Sequence, residues 1–169
     1  MINWHVEIVQ LYNLKQRLDA ADNEKLYTLT LPSVAASEQA LSVVEARLGF
    51  CLDGEYKSFL QHADGWQHFF HKVHLFGTRE LSGYGLYTRA NKLLQSLHDP
   101  VLSAPKSSLM PIAVSENDID LFVLDRSSET QSQPVIWFAG GEIERFSSFN
   151  DFWVGMRELI EDEIIELTS

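Results

Sequence analysis

The stretch from Leu31 to Trp66 constrains the fold most, because it predicts two short amphipathic helices separated by a glycine. Ser37 is a good N-cap, since its hydroxyl can accept a hydrogen bond from a first-turn N–H group. Apolar side chains then recur at the helical spacing of three and four residues, at Leu41, Val44 and Leu48. Gly49 follows directly, where a helix commonly ends in a residue that tolerates positive φ. The first helix is therefore predicted over residues 37–48.

A second helix is predicted over residues 53–63, directly after the glycine. Asp53 can cap its N-terminus, and its apolar stripe consists of Tyr56, Phe59, Leu60 and Ala63. Asp64-Gly65 is a turn signal, and the chain after it is predicted to form a strand.

This ordered set of motifs resembles the SUKH superfamily, which comprises bacterial immunity proteins against secreted polymorphic toxins and the fungal cell-wall assembly regulators. The residues that carry the resemblance are Leu31-Pro32, Glu45-Ala46-Arg47-Leu48-Gly49, the segment from Leu52 to Leu60 that contains Tyr56 and Phe59-Leu60, and Asp64-Gly65. Asp53 stands where the family often has proline, and aspartate caps a helix about as well. The resemblance implies a protein-binding module without catalytic activity.

The rest of the chain predicts an α+β fold, a SUKH-like single domain with a mostly antiparallel sheet from about residue 66 onwards and helices flanking it. Residues 1–169 are interpreted as one domain, in which residues 1–30 form an N-terminal helical extension. Strands are predicted at residues 110–114, 119–125, 135–139 and 142–146. Val135–Ala139 is apolar on both faces, which favours a central position with cover on each side. Helices are predicted at residues 3–22, at 86–98 with a stop at Asp99-Pro100, and from Ser148 onwards.

The formal net charge of −11 and the pI near 4.8 are strongly acidic for 169 residues. The electrostatic field of such a chain repels nucleic acid and anionic membranes and attracts basic partners. Solubility alone is an equally good explanation of the acidic composition. The single cysteine, Cys51, excludes an intrachain disulfide. The N-terminal residues do not predict a signal peptide, and no apolar run of about 20 residues predicts a membrane span. We expect a cytoplasmic protein that contacts neither nucleic acid nor membrane.

Four histidines, His62, His68, His71 and His74, are close in sequence. A zinc site needs imidazoles that converge on one metal. On a strand, His68 and His74 share a face and His71 points away, and no cysteine or His-Glu-x-x-His motif is nearby. Structural histidines or a pH-sensitive patch are favoured, and neither a metal nor a cofactor is predicted. The chain also has no nucleophile elbow, Walker loop or dinucleotide fingerprint, so we expect no enzyme.

Two surfaces are candidates for partner binding. The predicted hairpin after residue 114 carries Glu116, Asp118 and Asp120; with Asp125 it resembles a calcium loop but lacks the required glycine and glutamate. These carboxylates belong to a solvated hairpin end or face a basic partner. The second candidate is the edge formed by Asp64, Trp66 and Phe69, where aromatic side chains either anchor a partner or close the core.

Carboxylates also accumulate at the end of the last predicted helix, at Glu158, Glu161, Asp162, Glu163 and Glu166. Negative charge near a helix C-terminus is unfavourable, so either the helix frays there or the charge serves a partner. What the resemblance implies is an immunity protein that occludes a basic toxin domain, such as a nuclease. The alternatives are a regulatory or scaffold module that binds a cellular protein, and a metal-dependent enzyme at the histidines. The oligomeric state stays open.

Overall fold

The computed structural model describes residues 1–98, 102, 104–128 and 132–169. Its α-helices are α1 (Trp4–Ala21), α2 (Glu38–Leu48), α3 (Gly54–Leu60), α4 (Thr78–Leu81), α5 (Tyr87–Ser96) and α6 (Phe149–Thr168). Its strands are β1 (Trp66–Phe70), β2 (Val73–Leu75), β3 (Leu109–Ser115), β4 (Asp120–Asp125), β5 (Val135–Ala139) and β6 (Glu142–Phe146). The predicted stop at Asp99-Pro100 lies outside the described residues.

The strands form one sheet in the order β1-β2-β3-β4-β5-β6, and every neighbouring pair is antiparallel. The α+β prediction with an antiparallel sheet is therefore confirmed. Because each strand pairs with its neighbour in sequence, the connections alternate between the two ends of the sheet, and the connection from β2 to β3 contains α4 and α5.

The helix caps follow from local sequence, as predicted. The backbone N–H of Ala40 donates to the Ser37 hydroxyl at 3.0 Å, and Gly49 ends α2 with φ +80°. The Asp53 carboxylate accepts from the N–H of Tyr56 at 3.1 Å. The two predicted motif helices are confirmed, with α3 somewhat shorter than expected.

The sheet has apolar cover on both faces. On one face, α1, α3 and α6 enclose a large core in which Val135 and Trp137 of β5 take part. On the other face, α5 and Phe76 cover a second cluster that contains Ile136 and Phe138. Side chains of β5 thus alternate between two cores, which explains why the strand is apolar throughout.

The N-terminal helix α1 is integral to the larger core. Trp4 is 4% exposed and Leu11 is fully buried, and the Trp4 ring lies 5.1 Å from the ring of Trp153 in α6. Lys15 is also buried, and its ammonium donates to the backbone oxygen of His68 at 2.6 Å. The predicted helical extension therefore packs on the sheet through α6 and β1.

Candidate functional site

Several turns meet at one end of the sheet. Asp120 pairs with Ala139, which places the β3–β4 and β5–β6 turns side by side. The N–H of Glu116 donates to the backbone oxygen of Lys72 at 3.0 Å, which adds the β1–β2 turn. The C-terminal part of α6 reaches the same end, because Glu163 accepts a hydrogen bond from His71 at 2.7 Å.

Exposed carboxylates gather at this end of the molecule. We call the set formed by Glu116, Asp118, Glu161, Asp162 and Glu166 the acidic end; all five residues are exposed. Among the described residues, Asp118, Asp162 and Glu166 form no ion pair. Helix α6 continues to Thr168 and does not fray at its acidic residues. Three carboxylates of the acidic end therefore take no part in the ion pairs of the described chain, whereas Glu116 lies near His68 and His74 and Glu161 lies 4.0 Å from Arg157.

The predicted hairpin residues differ in their exposure, and so in whether a partner could contact them. Glu116 and Asp118 are exposed in the β3–β4 turn. Asp120 is half-buried, and its carboxylate accepts from the indole N–H of Trp137 at 2.8 Å. Asp125 is buried and accepts from the Ser127 N–H at 2.9 Å, so it supports the end of β4.

Asp64 has a structural role that the sequence did not indicate. One carboxylate oxygen accepts from the backbone N–H of Thr78 and the other from the Thr78 hydroxyl, both at 2.6 Å. Asp64 thereby ties the turn after α3 to the start of α4. A β-carbon at Gly77 would lie 2.2 Å from the backbone oxygen of Asp64, so the close approach needs glycine there.

Trp66 and Phe69 lie in the core. Trp66 is 1% exposed and Phe69 is fully buried. Their rings pack against Trp153 of α6, at centroid distances of 6.3 and 5.4 Å. A register shift in the β1–β2 pair accompanies this packing. The expectation of an exposed aromatic edge is therefore corrected in favour of its alternative, an aromatic cluster that closes the core.

The four histidines separate into different environments. His68 and His74 lie on neighbouring strands with ring centroids 4.4 Å apart, and both face Glu116. His71 is in the β1–β2 turn, stacked between Tyr27 and Phe70.

His62 lies apart from the other three histidines. Its Nδ1 is 2.7 Å from the backbone oxygen of Ser58, and its ring contacts His5 with centroids 4.7 Å apart. Only His68 and His74 of the predicted cluster come together.

Burial lowers the pKa of two basic side chains near β1 and β2, His74 and Lys15. Desolvation lowers the pKa of His74 below its ordinary value, although the hydrogen bond to Glu116 opposes the decrease. His74 is therefore mainly neutral at pH 7. Desolvation also lowers the pKa of Lys15 to about 8.

The glutamate of the Glu-x-x-Leu-Gly motif holds the hinge between α2 and α3. One Glu45 oxygen accepts from the N–H of Leu52 and the other from the Lys57 ammonium, both at 2.7 Å. Burial raises the pKa of Glu45, but the hydrogen bonds from Lys57 and Leu52 lower it by more. The ionised carboxylate is thus part of the frame.

The architecture is that of a small α+β domain with an antiparallel sheet. The sheet carries two capped helices, and Asp64 fixes the turn after the second of them to the start of α4. The model of the SMI1 / KNR4 family (SUKH-1) matches residues 35–155, more than two thirds of the 169-residue chain. The chain therefore belongs to this family. Family members are generally binding modules without catalytic activity. The search of curated proteins found no match.

The matched region contains α2 to β6 and the first part of α6, and so includes the β3–β4 turn. Helix α1 and the last carboxylates of α6 lie outside it. Across the described part of the chain, no helix combines the length and apolar character that crossing a membrane demands.

Proposed function

We propose that this chain is a non-catalytic immunity protein that neutralises a bacterial polymorphic toxin by binding to it and occluding it. The family supports the general part of this proposal, a binding module of the SUKH type. The acidic end supports the specific part, a basic partner. The proposal includes a cytoplasmic location and neither direct nucleic-acid binding nor membrane contact.

The observation that carries the proposal is the set of exposed acidic side chains that form no ion pair within the described residues. Asp162 and Glu166 lie in the last turns of α6, where the negative end of the helix dipole makes carboxylates unfavourable. Neither forms an ion pair within the described residues. A cationic surface docked here would relieve this repulsion and accelerate encounter.

A nuclease domain is one partner of suitable chemistry, because a groove that binds phosphates is positively charged. Carboxylates of the acidic end would occupy the positions that phosphates take in the substrate complex. Occlusion of this kind makes and breaks no covalent bond, so it needs no catalytic group on this chain.

The first test asks whether a toxin partner exists. A neighbouring open reading frame that encodes a basic toxin domain would be expressed with and without this chain, and growth would be measured. Rescue of growth together with a stable complex is the expected result. If the toxin arrests growth equally in both cultures, and affinity capture from the native host yields a cellular protein unconnected with toxins, the regulatory or scaffold function replaces our proposal.

The second test asks whether the acidic end is the contact surface. The triple variant D118N/D162N/E166Q removes three negative charges there. The control E38Q/E144Q/D151N removes the same number from exposed residues in α2, in β6 and in the first turn of α6. Association rate constants would be measured at low salt and at about 0.15 M, where the Debye length is about 8 Å.

We expect the acidic-end variant to associate about tenfold more slowly at low salt, with a weaker salt dependence, because rim charges act mainly on the association rate. The control should change the rate by less than about twofold. Equal rates for the two variants, or a complex insensitive to salt, would refute the electrostatic part of the proposal.

A further inference from the structure

The geometry points to a zinc-binding site formed by His68, His74 and Glu116, which we propose as a property of this chain independent of its partner. The three residues come from three places in the fold. His68 is in β1, His74 is in β2, and Glu116 follows β3. Their ligand-type atoms all lie within 4.8 Å of one another.

The donor spacing is close to that of a tetrahedral site. Glu116 Oε2 is 3.0 Å from His74 Nε2 and 4.0 Å from His68 Nε2. Zinc with bonds of about 2.0–2.1 Å to nitrogen and oxygen separates its ligand atoms by about 3.4 Å. The two observed distances lie on either side of that value, so a rotation of the Glu116 side chain can bring both of them closer to it.

The position of His68 depends on an unusual backbone. His68 has φ +50°, in the left-handed region that is uncommon for residues other than glycine. The β1–β2 register shifts between Trp66 and Phe70, around this residue. Bulges of this kind redirect a side chain, and here the imidazole lies against that of His74.

The His68 ring is poorly satisfied by the protein. Its Nδ1 is buried and has no hydrogen-bond partner within the described residues. Its Nε2 is 4.0 Å from Glu116, beyond hydrogen-bonding distance. Coordination through Nε2 would give this ring an interaction at the nitrogen that faces Glu116, while Nδ1 would stay without a partner among the described residues.

The donor types select the ion. Two imidazoles and one carboxylate suit zinc and neighbouring transition metals, whereas calcium and magnesium prefer a set made of oxygens. Metal coordination uses the neutral imidazole and the carboxylate forms, so the three ligands would bring one negative charge to a divalent ion and compensate it in part. Three protein ligands leave the fourth position of zinc to a water molecule.

The test uses chelator-treated full-length protein titrated with zinc chloride in a calorimeter. The wild type is expected to bind one zinc ion per chain with a dissociation constant in the micromolar range or tighter, and its melting temperature should rise with zinc. Cobalt(II) added in place of zinc should give the visible absorption bands of a tetrahedral site.

Three variants locate the site. H68Q and E116Q should each weaken zinc binding by about tenfold or more and abolish the cobalt bands, because each removes one of three ligands. H5Q is the matched control: His5 is exposed and forms a second imidazole pair with His62, without a carboxylate between them. It should bind zinc as the wild type does.

E116Q distinguishes a loss of zinc binding from a loss of folding. The amide that it introduces is exposed and can still hydrogen-bond to His74. Its melting temperature without metal should stay close to that of the wild type. The proposal is overturned if the wild type fails to bind zinc at submillimolar concentrations, or if folded E116Q and H68Q bind zinc as tightly as H5Q.

Discussion

Replacing Asp64 with alanine should destabilise the fold, because this carboxylate connects the turn after α3 to α4. It accepts two hydrogen bonds of 2.6 Å from Thr78, one from the backbone N–H and one from the hydroxyl. Thr78 is buried, so D64A leaves a backbone donor with little access to water. A contact residue for a partner would instead change binding and leave stability unaltered.

The magnitude follows from the two bonds. A hydrogen bond to a charged group contributes about 1.5–3 kcal/mol, so two contribute about 3–6 kcal/mol. Asp64 is half-buried, and water can replace part of what is lost. We therefore expect D64A to lower the free energy of unfolding by about 3 kcal/mol, T78V by about 1–2 kcal/mol, and the double variant by less than the sum.

Urea unfolding at pH 7, followed by tryptophan fluorescence, measures these differences if the slope m is the same for all variants. D64N is the conservative control, since its amide oxygen can still accept from the Thr78 N–H, and it should lose about 1 kcal/mol. A loss below about 1 kcal/mol for D64A, or full additivity with T78V, would refute the assigned role.

Three further predictions concern the frame. The pKa of Glu45 lies below its ordinary value. Its contribution to the free energy of unfolding is therefore complete above the pKa of an unfolded glutamate and is lost as the pH falls through the folded pKa. E45Q should flatten the acid side of a profile of stability against pH. G77A places a methyl group 2.2 Å from backbone oxygen and should cost about 3 kcal/mol or more, whereas G141A, with nothing within 4 Å, should cost under about 1 kcal/mol in urea titrations. W4A should cost about 3–5 kcal/mol in the same assay, and V9A, which is 58% exposed, under about 0.5 kcal/mol.

Features that depend on a few consecutive residues could be predicted from the sequence. The caps at Ser37 and Asp53 and the glycine at residue 49 are local hydrogen-bonding and φ requirements, and each is present as expected. The strand at residues 135–139 was predictable as a covered strand because apolar residues occupied both alternating faces. The family motif added the order in which these elements occur.

Features that depend on pairing between distant segments could not be predicted. His68 faces His74 because of a register shift in the β1–β2 pair, which no local pattern indicates. Asp64 is bonded to a residue fourteen positions away, and Glu116 meets the histidines from forty-two positions beyond His74. The only signal in the sequence was that residues 68 and 74 are an even number of positions apart, which places them on one face of an extended chain.

The distribution of carboxylate roles connects the fold with the proposed function. At the end of the sheet opposite the acidic end, Asp53 and Glu55 accept hydrogen bonds from Gln133 and Asn150, and so hold α3 to the loop before β5 and to α6. At the acidic end, Asp118, Asp162 and Glu166 form no ion pair within the described residues.

Carboxylates anywhere on the surface favour solubility, but those near a helix C-terminus carry an electrostatic cost that carboxylates elsewhere avoid. Glu116 combines both kinds of role. It is exposed toward the acidic end and bonded to His74, so a divalent zinc ion there would make this part of the docking surface more positive by two charges. Partner association measured with and without zinc should then differ in the wild type and be the same in H68Q.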